Sequence, residues 1–185
     1  MTASASEENA IPSPVVFEGA GIFVSGFRGS AGLSVSLDGK GDVTGTDKVR
    51  WKVSKGTPYV PSPVLWGDRI WFVAGNGNAL TCLEARTGKT VLDGTRLESL
   101  KTVYASPVAA AGRIYLVDRE GTAVVIRAGD SLEVLATNRL DDGFSATPAI
   151  AGKQLFLRGA RRLYCIEEAA GEGKTTPAGG KTRRF

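Results

Sequence analysis

The sequence predicts an all-β fold assembled from repeated four-stranded sheets, and three observations carry that expectation. Glycine supplies 24 of 185 residues, about 13% against a usual ~7%, and eight prolines join it, the punctuation of a chain with many tight turns. A Ser/Thr-Pro pair recurs at Ser13-Pro14, Ser62-Pro63, Ser106-Pro107 and Thr147-Pro148, with proline spacings of 63 − 14 = 49, 107 − 63 = 44 and 148 − 107 = 41. An aromatic then follows each proline at a nearly fixed distance: Phe23 at +9, and Trp71, Tyr115 and Phe156 at +8. A repeat with a constant internal offset implies a constant structural unit, which is why self-similarity decides the fold before any local propensity does.

Within each unit the elements follow in order. PVVFEGAGIFVSG, PVLWGDRIWFVAG, PVAAAGRIYLVDREG and PAIAGKQLFLRG each read as two apolar strands joined by a glycine turn, at Gly19, Gly67, Gly112 and Gly152. Proline is tolerated at the head of the first strand, because the donor it lacks is forfeited only where pairing begins. A third strand is expected over 33–37, 79–84, 122–127 and 162–167. A more polar fourth follows at 49–53, 91–92 and 135–138. Apolar character that declines from first to last strand suits sheets arranged radially, inner strands packed and the outer one wet. Four strands in about 40 to 50 residues, repeated, predict a β-propeller of about four blades, the last one incomplete after three strands. Blades are expected over about 13–55, 57–97, 102–140 and 144–168, within a repeat region 12–168, flanked by disordered segments 1–11 and 169–185.

Charge and composition narrow the function classes. The formal balance is 23 − 19 = +4, yet the last twelve residues carry Lys174, Lys181, Arg183 and Arg184 without an acid, so the remaining chain is neutral and no nucleic-acid partner is expected. Histidine is absent, which removes Ser-His-Asp and Cys-His triads, histidine zinc sites and histidine-ligated haem. Cys82 and Cys165 each sit in an apolar segment, where both read as small buried hydrophobes. No apolar run approaches 18 residues and the first ten lack a basic stretch, so neither a membrane span nor a signal peptide is expected in this chain.

Several motifs resolve into turns. ARTGKT (85–90) lacks the first glycine of a phosphate-binding loop, since Leu83 stands there. The 75–78 and 38–42 stretches lack a strand-to-helix crossover or an acid-rich loop, and Asp141-Asp142 beside Gly143 reads as a solvated loop. More informative are Tyr59, Tyr104 and Phe144, four, three and four residues before the repeat proline. Repeat symmetry gathers them at one end of the fan, either as a collar that stacks on a peptide or sugar or as seals between blades.

The Ser-Pro-Val head, the Gly-Asp-Arg or Ala-Gly-Arg turn, the Ile-aromatic strand and Leu-x-Cys-Leu-Glu-Ala-x-Thr-Gly-Lys resemble the pyrroloquinoline-quinone-like (PQQ-like) repeat β-propellers. The match is clearest over 62–89 and continues over 106–127 and 147–167. The run from Gly41 to Trp51, then 57–63, is similar to the bacterial members related to the outer-membrane assembly factor BamB. The resemblance implies a ring of about seven or eight blades, of which this chain supplies about the C-terminal half. It also implies an extracytoplasmic setting if the chain belongs to a longer exported protein. Enzymes of the superfamily hold the quinone over a channel-mouth tryptophan with calcium and adjacent cysteines; this chain has no adjacent cysteines, and its Trp66 and Trp71 share one hairpin. No PQQ or other cofactor and no metal site are therefore expected. The resemblance points to a non-enzymatic scaffold binding a protein, peptide or glycan through blade loops or channel mouth. The alternative is a fragment of a quinoprotein-like or other propeller enzyme whose active site lies in the other half. A fan of four blades would also seek a second copy, an upstream half or closure on itself.

Overall fold

The computed structural model describes residues 10–26 and 28–168. Apart from residues 10 and 11, the expected disordered segments lie outside the described residues. Among the described residues, fifteen strands in chain order form four antiparallel sheets, each a simple meander from inner to outer edge. The first holds β1 (Val15–Phe17), β2 (Ala20–Ser25), β3 (Ala31–Ser36) and β4 (Val49–Val53). The second holds β5 (Val64–Trp66), β6 (Arg69–Val73), β7 (Ala79–Glu84) and β8 (Thr90–Arg96). The third holds β9 (Val108–Ala110), β10 (Arg113–Val117), β11 (Thr122–Arg127) and β12 (Val134–Arg139), and the fourth, among the described residues, holds β13 (Ala149–Ala151), β14 (Gln154–Arg158) and β15 (Leu163–Glu167). This is the partial all-β propeller that the repeat predicts.

Each sheet is made the same way. The inner strand is three residues long, and its hairpin closes tightly because a glycine takes positive φ there, Gly19 at 71°, Gly67 at 59°, Gly112 at 72° and Gly152 at 58°. Sheets meet face to face through apolar side chains. Ile22 and Trp51 of the first sheet pack on Ile70, Phe72 and Leu83 of the second. Trp71, Leu80 and Cys82 of the second pack on Ile114, Leu116 and Ile126 of the third, with Leu97, Leu100 and Val103 of the connecting segment. Val117 of the third packs on Leu157 and Tyr164 of the fourth, together with Phe144. Glycine in the ARTGKT turn has a packing reason: Gly88 has φ +71°, and a Cβ there would sit 2.7 Å from the Trp51 indole, whose N–H donates to Ala85 O at 2.9 Å.

The Ser/Thr-Pro pairs join the sheets by a ladder. Ser13 N–H donates to Ser62 Oγ (2.9 Å), Ser62 N–H to Ser106 Oγ (2.9 Å), and Ser106 N–H to Thr147 Oγ1 (3.3 Å). Each hydroxyl thus captures the amide of the preceding blade, so the residue before proline needs a hydroxyl as well as an extended backbone.

Two expectations are corrected. Phe23, counted with Trp71 by its offset from proline, does not share the position of Trp71 between sheets. In register, Val15 pairs with Ile22 as Val64 pairs with Trp71, so Ile22 is the equivalent of Trp71 and Phe23 points to the opposite face of its sheet. Cys165 is exposed, whereas Cys82 is buried. Both pair with the +8 aromatic, Phe156↔Cys165 and Trp71↔Cys82, but only the second sheet has a following sheet to cover that face.

Candidate partner-binding site at the linker edge

Alternating strand direction puts the linkers between sheets and each sheet's second turn at the same edge. Backbone bonds show it: Gly75 N–H donates to Thr57 O, Arg119 N–H to Thr102 O and Ala160 N–H to Gly143 O. These three equivalent bonds align Thr57, Thr102 and Gly143, which makes Tyr59, Tyr104 and Ser145 structural equivalents. Phe144 falls one residue earlier, aligned with Val103 and Pro58; Phe144 N–H donates to Asp118 O and Val103 N–H to Asn76 O, each in the second turn of the preceding sheet.

The three aromatics are therefore not one collar. Phe144 is fully buried, packed edge-on to Tyr164 with ring centroids 5.8 Å apart, and it seals the junction of the third and fourth sheets. Tyr59 and Tyr104 are half-buried at the linker edge. The offset misleads because six steps separate Thr57 from Pro63 but five separate Thr102 from Pro107 and Gly143 from Pro148, so a count back from proline shifts by one between units.

Arginine was missed in the sequence reading and is prominent here. The Arg119 guanidinium lies 4.8 Å from the centroid of the Tyr104 ring. Beside it opens a groove of about 720 Å3 between the third and fourth sheets, lined by Arg119, Arg139 and Arg161 and by Glu120, Asp141 and Asp142. Arg161 is held by Asp141, through its carboxylate at 3.1 Å and its backbone carbonyl. No motif marked these residues, because they come from a turn, a strand end and a second turn that only the packing of two sheets brings together.

Buried acids hold the groove's walls. Asp118 accepts from Lys101 N–H (3.0 Å), Glu120 N–H (3.0 Å) and Thr122 N–H (2.7 Å), tying a linker to a turn. Asp142 is buried rather than the solvated loop residue its neighbours suggested. It accepts from Gly143 N–H (2.9 Å), Arg161 N–H (3.1 Å), Arg162 N–H (3.0 Å) and Tyr164 O–H (3.2 Å). Burial pushes its carboxyl up, but the bonds from Gly143, Arg161, Arg162 and Tyr164 outweigh that and hold it below the ordinary carboxylate range.

Trp71 is buried between sheets, Trp51 is committed to Ala85 O, and Trp66 stands at the Gly67 turn, the opposite edge from the linkers. Among the described residues no three of His, Cys, Asp and Glu converge as a metal-ligand group. No helix among them is long and apolar enough to cross a membrane.

Known structures share this architecture. BamB from Moraxella catarrhalis superposes with a TM-score of 0.67 at 15% identity, over 92% of this chain and 50% of that one. The computationally designed Ika4 protein superposes with a TM-score of 0.62 at 10% identity, over 89% of this chain and 96% of that one. A europium-containing methanol dehydrogenase does so with a TM-score of 0.51 at 12% identity, over 68% of this chain and 24% of that one. The chain spans about half the length of the BamB structure. No curated protein matches by sequence. The family model described as outer membrane protein assembly factor BamB matches residues 39–132, which is 94 of 185 residues, and with the four-sheet fan already established the chain belongs to that family of PQQ-like repeat propellers.

Proposed function

We propose that this chain is a non-enzymatic scaffold that binds a peptide segment of a protein partner, carrying carboxylates, at the linker edge. The observation that supports this reading is the Tyr104–Arg119 pair at the mouth of the groove that Arg119, Arg139 and Arg161 line together with Glu120, Asp141 and Asp142. A tyrosine offers a rigid apolar face at low entropic cost, and arginine matches a carboxylate with two parallel donors. Tyr59 extends the aromatic surface along the same edge. The BamB family description, an assembly factor of the outer membrane, supports a partner that is a protein and a setting outside the cytoplasm. No cofactor takes part in this reading.

Fluorescence anisotropy with a labelled peptide of alternating glutamate and tyrosine tests it. Binding should weaken as salt rises, and Tyr104→Ala and Arg119→Ala should each weaken it about tenfold, about 1.4 kcal/mol, with the melting temperature retained. Equal binding by both variants, or preference for a neutral glycan over the peptide, overturns the assignment.

A further inference from the structure

The two ends of the fan carry matching halves of one contact. In the second, third and fourth sheets, the residue nine after the repeat proline faces the preceding sheet: Phe72 is 0%, Leu116 1% and Leu157 1% exposed. The first sheet has Phe23 at that position, and it is 40% exposed, beside Val16 and Leu37 at 62% and 48%. At the other end, the face that each earlier sheet turns toward its successor is uncovered in the fourth, leaving Leu163 47% exposed and Cys165 exposed.

The ladder ends in the same way. Ser62 and Ser106 are half-buried links, whereas Ser13 and Thr147 are exposed, and among the described residues no bond joins them. Nor does any apolar cluster of the described residues join the fourth sheet to the first. The described residues therefore leave the fan open between its fourth and first sheets. Its tail face is the kind that receives a +9 face at all three internal junctions, and its head presents a +9 face that no described sheet receives.

We propose that two copies of this chain associate head to tail, the fourth sheet of each receiving the first sheet of the other, with Thr147 N–H of one copy donating to Ser13 Oγ of its partner. A head-to-tail contact either closes or runs on as a filament, according to the rotation each copy spans. One copy covers half the length of the BamB structure, so two supply one ring and association stops at the dimer. Pairing removes the exposed Phe23, Val16 and Leu163 from water, the same driving force that joins the sheets within the chain.

Sedimentation equilibrium on the full chain should give 2 × 19.4 = 38.8 kDa. Phe23→Glu, which sets a charge at the contact but on what is surface in a single copy, should return the mass to 19.4 kDa and make the Cys165 thiol reactive toward a thiol reagent. In a Cys165→Ser background, mixing Ser13→Cys protein with Thr147→Cys protein should yield a disulfide-linked dimer that neither forms alone. A monomeric native chain overturns the proposal, as does a Ser13→Cys/Thr147→Cys double variant that cross-links only within one chain. So does a dimer whose mass persists in Phe23→Glu and whose mixed cysteine variants stay unlinked. None of these readouts depends on the peptide site, so each proposal stands or falls separately.

Discussion

Asp142 shows how much one side chain determines at the junction of two sheets. An aspartate in an Asp-Asp-Gly sequence reads as a turn residue, and it does cap a turn, but the donors it satisfies at Arg161, Arg162 and Tyr164 lie about 20 residues on. Because its carboxyl titrates below the ordinary range when folded, the stability it contributes is complete above pH ~4 and is lost as the pH falls through its folded value. Thermal melts from pH 7 down to 2 should therefore show Asp142→Asn less stable at pH 7 by about 2 kcal/mol, with the gap narrowing below pH ~4. A constant gap across the range would mean that the charge is irrelevant to the fold. The same residue explains why Gly159 is glycine, since a Cβ there would lie 2.3 Å from the Asp142 carboxylate. Cys82 is similarly committed to structure: burial pushes its thiol up to about 12, so it offers no thiolate near neutral pH.

For whole strands, a displacement of one residue decides between core and surface. Phe72 and Phe23 occupy the same place in β6 and β2, nine residues after proline, and differ only in whether a sheet precedes them. Denaturant unfolding should find Phe72→Ala destabilising by about 3–5 kcal/mol, and Phe23→Ala by less than about 1 kcal/mol in a dissociated chain, where its ring is already partly hydrated. Equal losses would mean that the first sheet's outer face is covered within a single copy. The repeat made these strands legible: proline, glycine turn and apolar stretch located all four hairpins. What it blurred was phase. Phe23 at +9 looked like a looser copy of Trp71 at +8, yet the strand period of two sends them to opposite faces. The longer linker before Pro63 likewise made Phe144 look equivalent to Tyr59, when the backbone bonds align it with Val103.

On the scale of the molecule, the described fan has two open end faces, one bearing Phe23 and Val16 and the other Leu163 and Cys165. If two copies close the ring, unfolding becomes coupled to dissociation, and the melting temperature should rise by about 2 °C for each tenfold increase in protein concentration. Phe23→Glu should melt at a temperature independent of concentration. A native chain with a concentration-independent melt would show that its open faces need no partner to persist.

The amino-acid order alone determined that this protein is a partial β-propeller of PQQ-like repeats, because Ser/Thr-Pro, glycine turns and alternating apolar strands are local signals that each unit carries complete. Three-dimensional packing decided the rest. Which aromatic is buried, which cysteine is exposed, which serine accepts from the neighbouring blade and where three arginines meet all depend on contacts between sheets about 40 residues apart, and no local pattern encodes a surface that exists only once two units touch.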